Sequence, residues 1–432
     1  MSEVSSSAPA GAPAEREFSA ANLKIALACL AGMVVAFSSF VQGAMALLQL
    51  PLSQTFHWSR GGIGLALTLM TWASALAMPF VGRYVDVVGT RRLLIGAAVG
   101  IALVTLALAF TTSSILYFYG CFVLLGLFGS SVVGYTKIIS ATFARHRGKA
   151  FAFFTVESTA VGAAMPLLMN TVLGHWGWRA IFVVLAGIKL FIAVPILIAW
   201  LRDPAEEARI KAKDDAKAKA EPSAKAPVEI GGLSPAETLR TRTFWMIMLA
   251  NVGGGLTIYG LLPNLVAMAA AQGLSRGAAV WALSFMSLFI AVGQFSAGFV
   301  VDRVNSAKIA AAYLLLFPVG LFLLNHASAA TGPLPLLTGM ALMGIGGGAQ
   351  NPMQSYFFTR FFGLKAFAQN TGVFRAIQAL LTAPAPAIVG LIWDRTHGYG
   401  DAYLMFFAGA LTSIVAFALM PRYRFAAGAP AR

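Results

Sequence analysis

Apolar residues gather in successive runs of about 20, each bounded by a short polar knot, and this pattern leaves the chain one place to fold. A run of that length crosses the roughly 30 Å hydrocarbon core as a helix, which satisfies its own backbone where no water can. A membrane β-strand would instead alternate apolar and polar residues over about ten positions, and no segment does so. The balance of the 432 residues agrees, with 58% hydrophobic and 11% charged against about 25% charged in soluble domains. The pattern predicts spans at 24–50, 60–82, 92–111, 114–140, 149–173 and 179–201. A second set follows at 243–270, 277–301, 308–325, 332–358, 366–392 and 401–420. The expected fold is an all-α membrane protein of twelve transmembrane helices in two pseudo-symmetric six-helix bundles, 24–201 and 243–420.

Between the sets, 202–242 carries nine basic and eight acidic residues and no apolar stripe, and reads as a charged, solvated cytoplasmic linker. Six spans, a linker and six spans suggest an internal duplication, a common transporter construction. Lys and Arg set the orientation. With the N-terminal tail inside, the inner loops and tails hold 24 of the 31 basic residues, and the outer loops hold only Arg60, Arg179, Arg276 and Arg395. Both termini are therefore expected in the cytoplasm of a cell with a bacterial-type inner (plasma) membrane. Residues 1–23 carry Glu3, Glu15 and Glu17 and lack the basic start and cleavage site of a signal peptide. They read as a disordered cytoplasmic tail, with 421–432 as its C-terminal counterpart. The net charge of +15 is spread over loops, which points to membrane topology and away from nucleic acid. Cys29 and Cys121 fall inside apolar runs, and no Cys/His cluster offers a metal site, a disulfide framework or a cofactor.

The loop after the second span reads Gly82-Arg83-Tyr84-Val85-Asp86-Val87-Val88-Gly89-Thr90-Arg91-Arg92. Its counterpart after the eighth, Gly298-Phe299-Val300-Val301-Asp302-Arg303, is a degraded copy. This recurrence resembles the signature of the major facilitator superfamily. Glycine would let two helices approach, and Asp would pair with Arg or cap a neighbouring helix, so the motif is expected to act in conformational change. A topogenic basic loop explains Arg91 and Arg92 equally well. Within the superfamily the chain resembles the monocarboxylate-transporter and oxalate–formate-antiporter branch. The stretches involved are Gly134-Tyr135-Thr136 through Phe143-Ala144-Arg145-His146-Arg147-Gly148, Gly177-Trp178-Arg179-Ala180-Ile181-Phe182 and His57-Trp58-Ser59-Arg60. That branch commonly carries an Arg in the eighth span, where Gln294 stands here, and its animal members an Asp one turn earlier, where Ile290 stands. The resemblance therefore does not carry carboxylate binding or proton coupling onto that span.

Ionisable groups in hydrocarbon are costly and usually face a cavity or a partner. Away from span ends there are four: Lys137, Glu157, Lys189 and Arg375. Lys137 and Glu157 flank the loop at His146 at similar depths, roughly 13–16 Å at 1.5 Å per residue, and could meet as an ion pair. Such a pair would be structural or would line the pathway, with Lys137 snorkelling alone to the inner surface as the alternative, and Glu157 is the candidate proton carrier. Lys189, in a helix expected at the periphery, is assigned a partner contact or a snorkelling position. Arg375 lies about 15 Å into its span, near the midplane, with no acid of the second half at its depth. A permanently charged guanidinium there suits an anion brought by the substrate, and oxalate–formate members similarly place a cation in this span; a structural Arg paired with backbone carbonyls is the alternative.

Neutral polar residues gather at compatible depths: Gln42, Gln49, Tyr135, Asn251, Tyr259, Gln294, Gln350, Asn351, Gln354 and Gln378. Any one could be helix–helix glue, but so many favour a polar cavity. Gly346-Gly347-Gly348 reads as a flexible segment of the tenth span. The expected function is secondary active transport of a small-molecule organic anion, a mono- or small carboxylate, by alternating access, with protons as candidate coupling ions and a monomer as the working unit. Exchange or efflux of organic compounds is the alternative transporter reading. A transport-dead sensor or scaffold is the alternative of another class, for which a 41-residue linker leaves little room. No catalytic constellation and no Walker sequence suggests an enzyme.

Overall fold

The computed structural model describes residues 19–34, 44–143, 147–203, 232–304, 306–363 and 365–424. The first half contains α1 (Ala20–Val34), α2 (Met45–Phe56), α3 (Arg60–Val88), α4 (Thr90–Leu108), α5 (Ile115–Gly129), α6 (Val132–Thr142), α7 (Arg147–Gly187), a π-helical stretch Ile188–Ala193 and α8 (Val194–Trp200). The second contains α9 (Pro235–Leu239), α10 (Arg242–Ala271), α11 (Arg276–Arg303), α12 (Ile309–Leu314), α13 (Leu316–Asn325), α14 (Leu334–Phe362), α15 (Phe367–Thr382), α16 (Ala385–Thr396) and α17 (Gly400–Ala418). Among the described residues eight helical segments are long and apolar enough to cross a membrane; one, Thr159–Trp200, runs 42 residues and breaks at Gly177 (φ 78°, ψ 179°), making two crossings. The shorter apolar Asn22–Met33 and Ile309–Asn325 and the 29-residue α14 supply the rest.

Where an expected span divides, the sequence gives the reason. Pro318 lacks the N–H that Leu314 would bond, and α12 gives way to α13 at that point. Pro384 and Pro386 do the same between α15 and α16. At the α5–α6 step the Ser130 hydroxyl donates to Leu127 O (2.5 Å), a local bond that competes with the helical ladder. Two expectations need correction. The first span reaches beyond residue 50, because α2 carries Pro51 inside an unbroken helix to Phe56. The linker is not free along its whole length. Residues 232–241 lie on the second bundle: Leu233 N–H donates to Phe362 O (2.8 Å), and Asn370 Nδ2 donates to Leu233 O (3.0 Å). Ser234 and Glu237 then form a capping box for α9, and its hydrogen bonds hold the Glu237 carboxyl below its ordinary range.

The tightest crossing joins α11 to α14. A Cβ on Gly293 would collide with Ile345 O, one on Gly344 would lie 2.5 Å from Met286 O, and one on Gly348 would collide with Ile290 O. The Gly346–Gly348 stretch is thus a packing surface inside a continuous helix, which corrects its reading as a flexible segment.

The two halves meet along a seam at the end of the molecule away from the linker, the distal end. Gln49 Nε2 donates to Asn264 Oδ1 (2.6 Å), both side chains being buried. Thr68 Oγ1 donates to Ala383 O (2.9 Å), and Trp72 Nε1 to Leu380 O (3.1 Å). Leu380 O is the carbonyl that Pro384 leaves without its helical partner, so the break in the eleventh span supplies an acceptor for the other half.

Candidate substrate site

Arg375 sits on the exposed stripe of α15, while Phe374 beside it is fully buried against Phe244 and Phe358. Its neighbour across the gap is Tyr259 of α10, close enough for the guanidinium charge to act on the phenol. From Ala250 to Ala269 no residue of α10 except Tyr259 is exposed, and Tyr259 is 42% so. A lipid-facing helix would expose a repeating stripe. A single exposed phenol in a buried stretch marks an opening between packed helices, and Arg375 faces the same opening. Gln378, one turn along from Arg375, is half-buried on α15. Gly255 holds this corner together: a Cβ there would lie 2.7 Å from Thr382.

The other polar candidates separate from this group. Asn251, Gln350 and Gln354 turn into the second bundle and line a small cleft with Tyr313, Phe357 and Phe417. Its walls include α12 and α17 as well as α10 and α14, so it lies within one bundle. Asn251 Nδ2 donates to Ile247 O (2.9 Å), whereas Gln350 Nε2 and Gln354 Nε2 are buried without an acceptor. Gln294 on α11 likewise buries an unpaired Oε1. Gln49 is spent on Asn264 in the distal seam.

In the first bundle Tyr135 is 5% exposed, its ring lying on α1 where Gly32 has no side chain, instead of lining an open cavity. Lys137 is exposed on α6. The side chains of Glu157 and Asn351 lie outside the described residues, and with Glu157 the proposed ion pair. Lys189 is 1% exposed and donates to Gly32 O from within the π-helical stretch, so it neither snorkels nor sits at a free periphery.

Among the motif residues, the side chains of Gly82, Arg83, Asp86 and Asp302 are outside the described set. Gly89 adopts φ 91° and makes the one-residue turn from α3 to α4, which only glycine enters without strain. Arg91 donates to Ile198 O (2.7 Å) at the end of α8, while Arg92 and Arg303 are exposed. At Gly298 a Cβ would meet nothing within 4 Å among the described residues.

Sequence reasoning missed Thr68, Trp72 and Asn264, three of the residues that join the halves. The signal for one of them, Trp72, was Pro384, which frees the Leu380 carbonyl that Trp72 serves.

Solved structures share this architecture. A bacterial homolog of the human lysosomal transporter Spinster, inward-facing and occupied, aligns over 94% of this chain and 96% of its own with a TM-score of 0.69 at 15% identity. The D-xylose–proton symporter aligns over 93% and 98% with a TM-score of 0.72 at 14% identity. Among curated relatives, the multidrug resistance protein MdtG of Salmonella paratyphi C (strain RKS4594) is 30% identical over 142 residues, 32% of this chain and 34% of its own. The MFS-type transporter YcxA of Bacillus subtilis (strain 168) is 26% identical over 159 residues, 36% and 38%. The matches span only about a third of these relatives' lengths. The Major Facilitator Superfamily profile matches residues 28–264 and again 247–432. With both halves matched and the all-helical fold shared, this chain belongs to the major facilitator superfamily and is a multi-pass membrane protein.

Proposed function

We propose that the chain moves an organic anion, a mono- or small carboxylate, across a bacterial plasma membrane by alternating access. The observation that carries this reading is Arg375, a permanent cation facing an opening beside Tyr259. A carboxylate would take the guanidinium fork, with Tyr259 and Gln378 as neutral donors nearby. The resemblance to the monocarboxylate and oxalate–formate branch supports the same class. Proton coupling through Glu157 and Lys137, and cytoplasmic placement of both termini and of 202–242, complete the reading. The names of the MdtG relatives favour a second one, efflux of organic compounds.

Uptake into proteoliposomes from a panel of radiolabelled carboxylates, with and without a pH gradient, separates the two. Saturable carboxylate uptake that Arg375→Gln abolishes supports the first. A protein that ignores the whole panel but drives export of lipophilic compounds supports the second.

A further inference from the structure

The first four N–H groups of a helix need acceptors from outside it. In α3 two come from Ser59 just before the helix, whose Oγ accepts from Gly62 N–H (3.0 Å) and whose carbonyl accepts from Ile63 N–H (3.1 Å). The other two come from the opposite bundle. Arg60 N–H donates to Asp394 Oδ1 (3.0 Å) and Gly61 N–H to Asp394 Oδ2 (2.8 Å). Asp394 sits in the last turn of α16, where a carboxylate opposes its own helix dipole. Its charge is therefore misplaced for α16 and well placed for the positive end of α3.

The side chain of Arg60 grips back. Its guanidinium lies 3.8 Å from the centroid of the Trp393 ring and donates to Tyr399 OH (2.6 Å). Burial pushes the Tyr399 phenol up, so it remains a neutral partner. Backbone proximity makes the contact close. A Cβ on Gly390 would lie 2.5 Å from Arg60 O, and one on Gly64 2.7 Å from Pro386 O.

We propose that Asp394 and Arg60 form a clasp that holds the distal end of the two bundles shut, with Asp394 serving as the N-cap of a helix in the other half. Distal opening must strip α3 of two caps and leave a carboxylate facing the wrong dipole. The clasp therefore sets the balance between distally closed and distally open states. It acts without touching the Arg375 region, so its test is independent of the substrate reading.

Thr68 is 1% exposed in the seam beneath the clasp, and Thr68→Cys is close to isosteric there. In purified protein held in nanodiscs, an impermeant thiol reagent reaches this cysteine only when the halves part at the distal end. Cys29, 0% exposed inside the first bundle, reports loss of fold in the same sample. Asp394→Asn keeps the shape but loses the charge and one acceptor, and should speed labelling of the Thr68→Cys protein about tenfold with Cys29 silent. Arg60→Gln should speed it by a smaller factor. Labelling of Asp394→Asn at the parent rate, with Cys29 silent, overturns the clasp. Should Asp394→Asn expose Cys29, Arg60→Gln decides: the parent rate there overturns the proposal, and a faster rate with Cys29 silent upholds it.

Discussion

Lys189 in the first bundle and Arg375 in the second both lie deep in the membrane away from span ends, and the two bundles treat them oppositely. Lys189 of the first is 1% exposed and donates to the Gly32 carbonyl of another helix. Arg375 of the second is exposed beside Tyr259. Depth and charge are similar, so neither distinguishes a structural cation from a recognition cation. Access does. A cation already turned into its bundle contributes to folding, whereas one that faces an opening can take a charge from outside.

Charge reversal is the harshest way to break this contrast. Lys189→Glu would bury an uncompensated carboxylate against a carbonyl and should cost about 3–5 kcal/mol, enough to abolish folded protein on size-exclusion chromatography. Arg375→Glu should remain folded. Equal tolerance of both reversals would erase the distinction.

Within the second bundle, two glycines of α11 sharpen it. Gly293→Ala drives a methyl into Ile345 O and should cost about 1–3 kcal/mol, read as a lower melting temperature. Gly298→Ala meets nothing within 4 Å and should gain up to about 1 kcal/mol from helix propensity. A loss at Gly298 would show that it packs against something in another access state.

The smallest effect is expected at Gln354, whose buried Nε2 has no acceptor in the intrabundle cleft. Gln354→Leu should change stability by less than about 1 kcal/mol, since little hydrogen bonding is forfeited. A larger loss would mean the cleft holds a ligand or ordered water that the amide serves.

Much of the fold was legible because run length and proline act locally. The spans followed from hydrocarbon thickness, and the breaks at Pro318, Pro384 and Pro386 follow from missing N–H groups. Arg375 could be singled out because a guanidinium in an apolar run is rare and costly. The fates of Gln49, Tyr135, Asn251 and Lys189 were not legible. Each is a polar residue on a membrane helix, and whether it faces an opening, a seam or its own bundle depends on helix rotation, which long-range packing sets. The glycines divide in the same way, since Gly293 and Gly298 differ only in what stands opposite them.

Ligand-induced thermal stabilisation of purified protein tests the role of Arg375 most directly, because binding only the native state raises apparent stability by about 2.7 kcal/mol at a hundredfold excess over Kd. A carboxylate that stabilises the parent protein should do so weakly for Arg375→Lys, which keeps the charge but loses the planar fork, and not at all for Arg375→Gln. Folded Arg375→Gln protein that is stabilised by the carboxylate as much as the parent would contradict the account and move the anion site to another cation, Lys137 first.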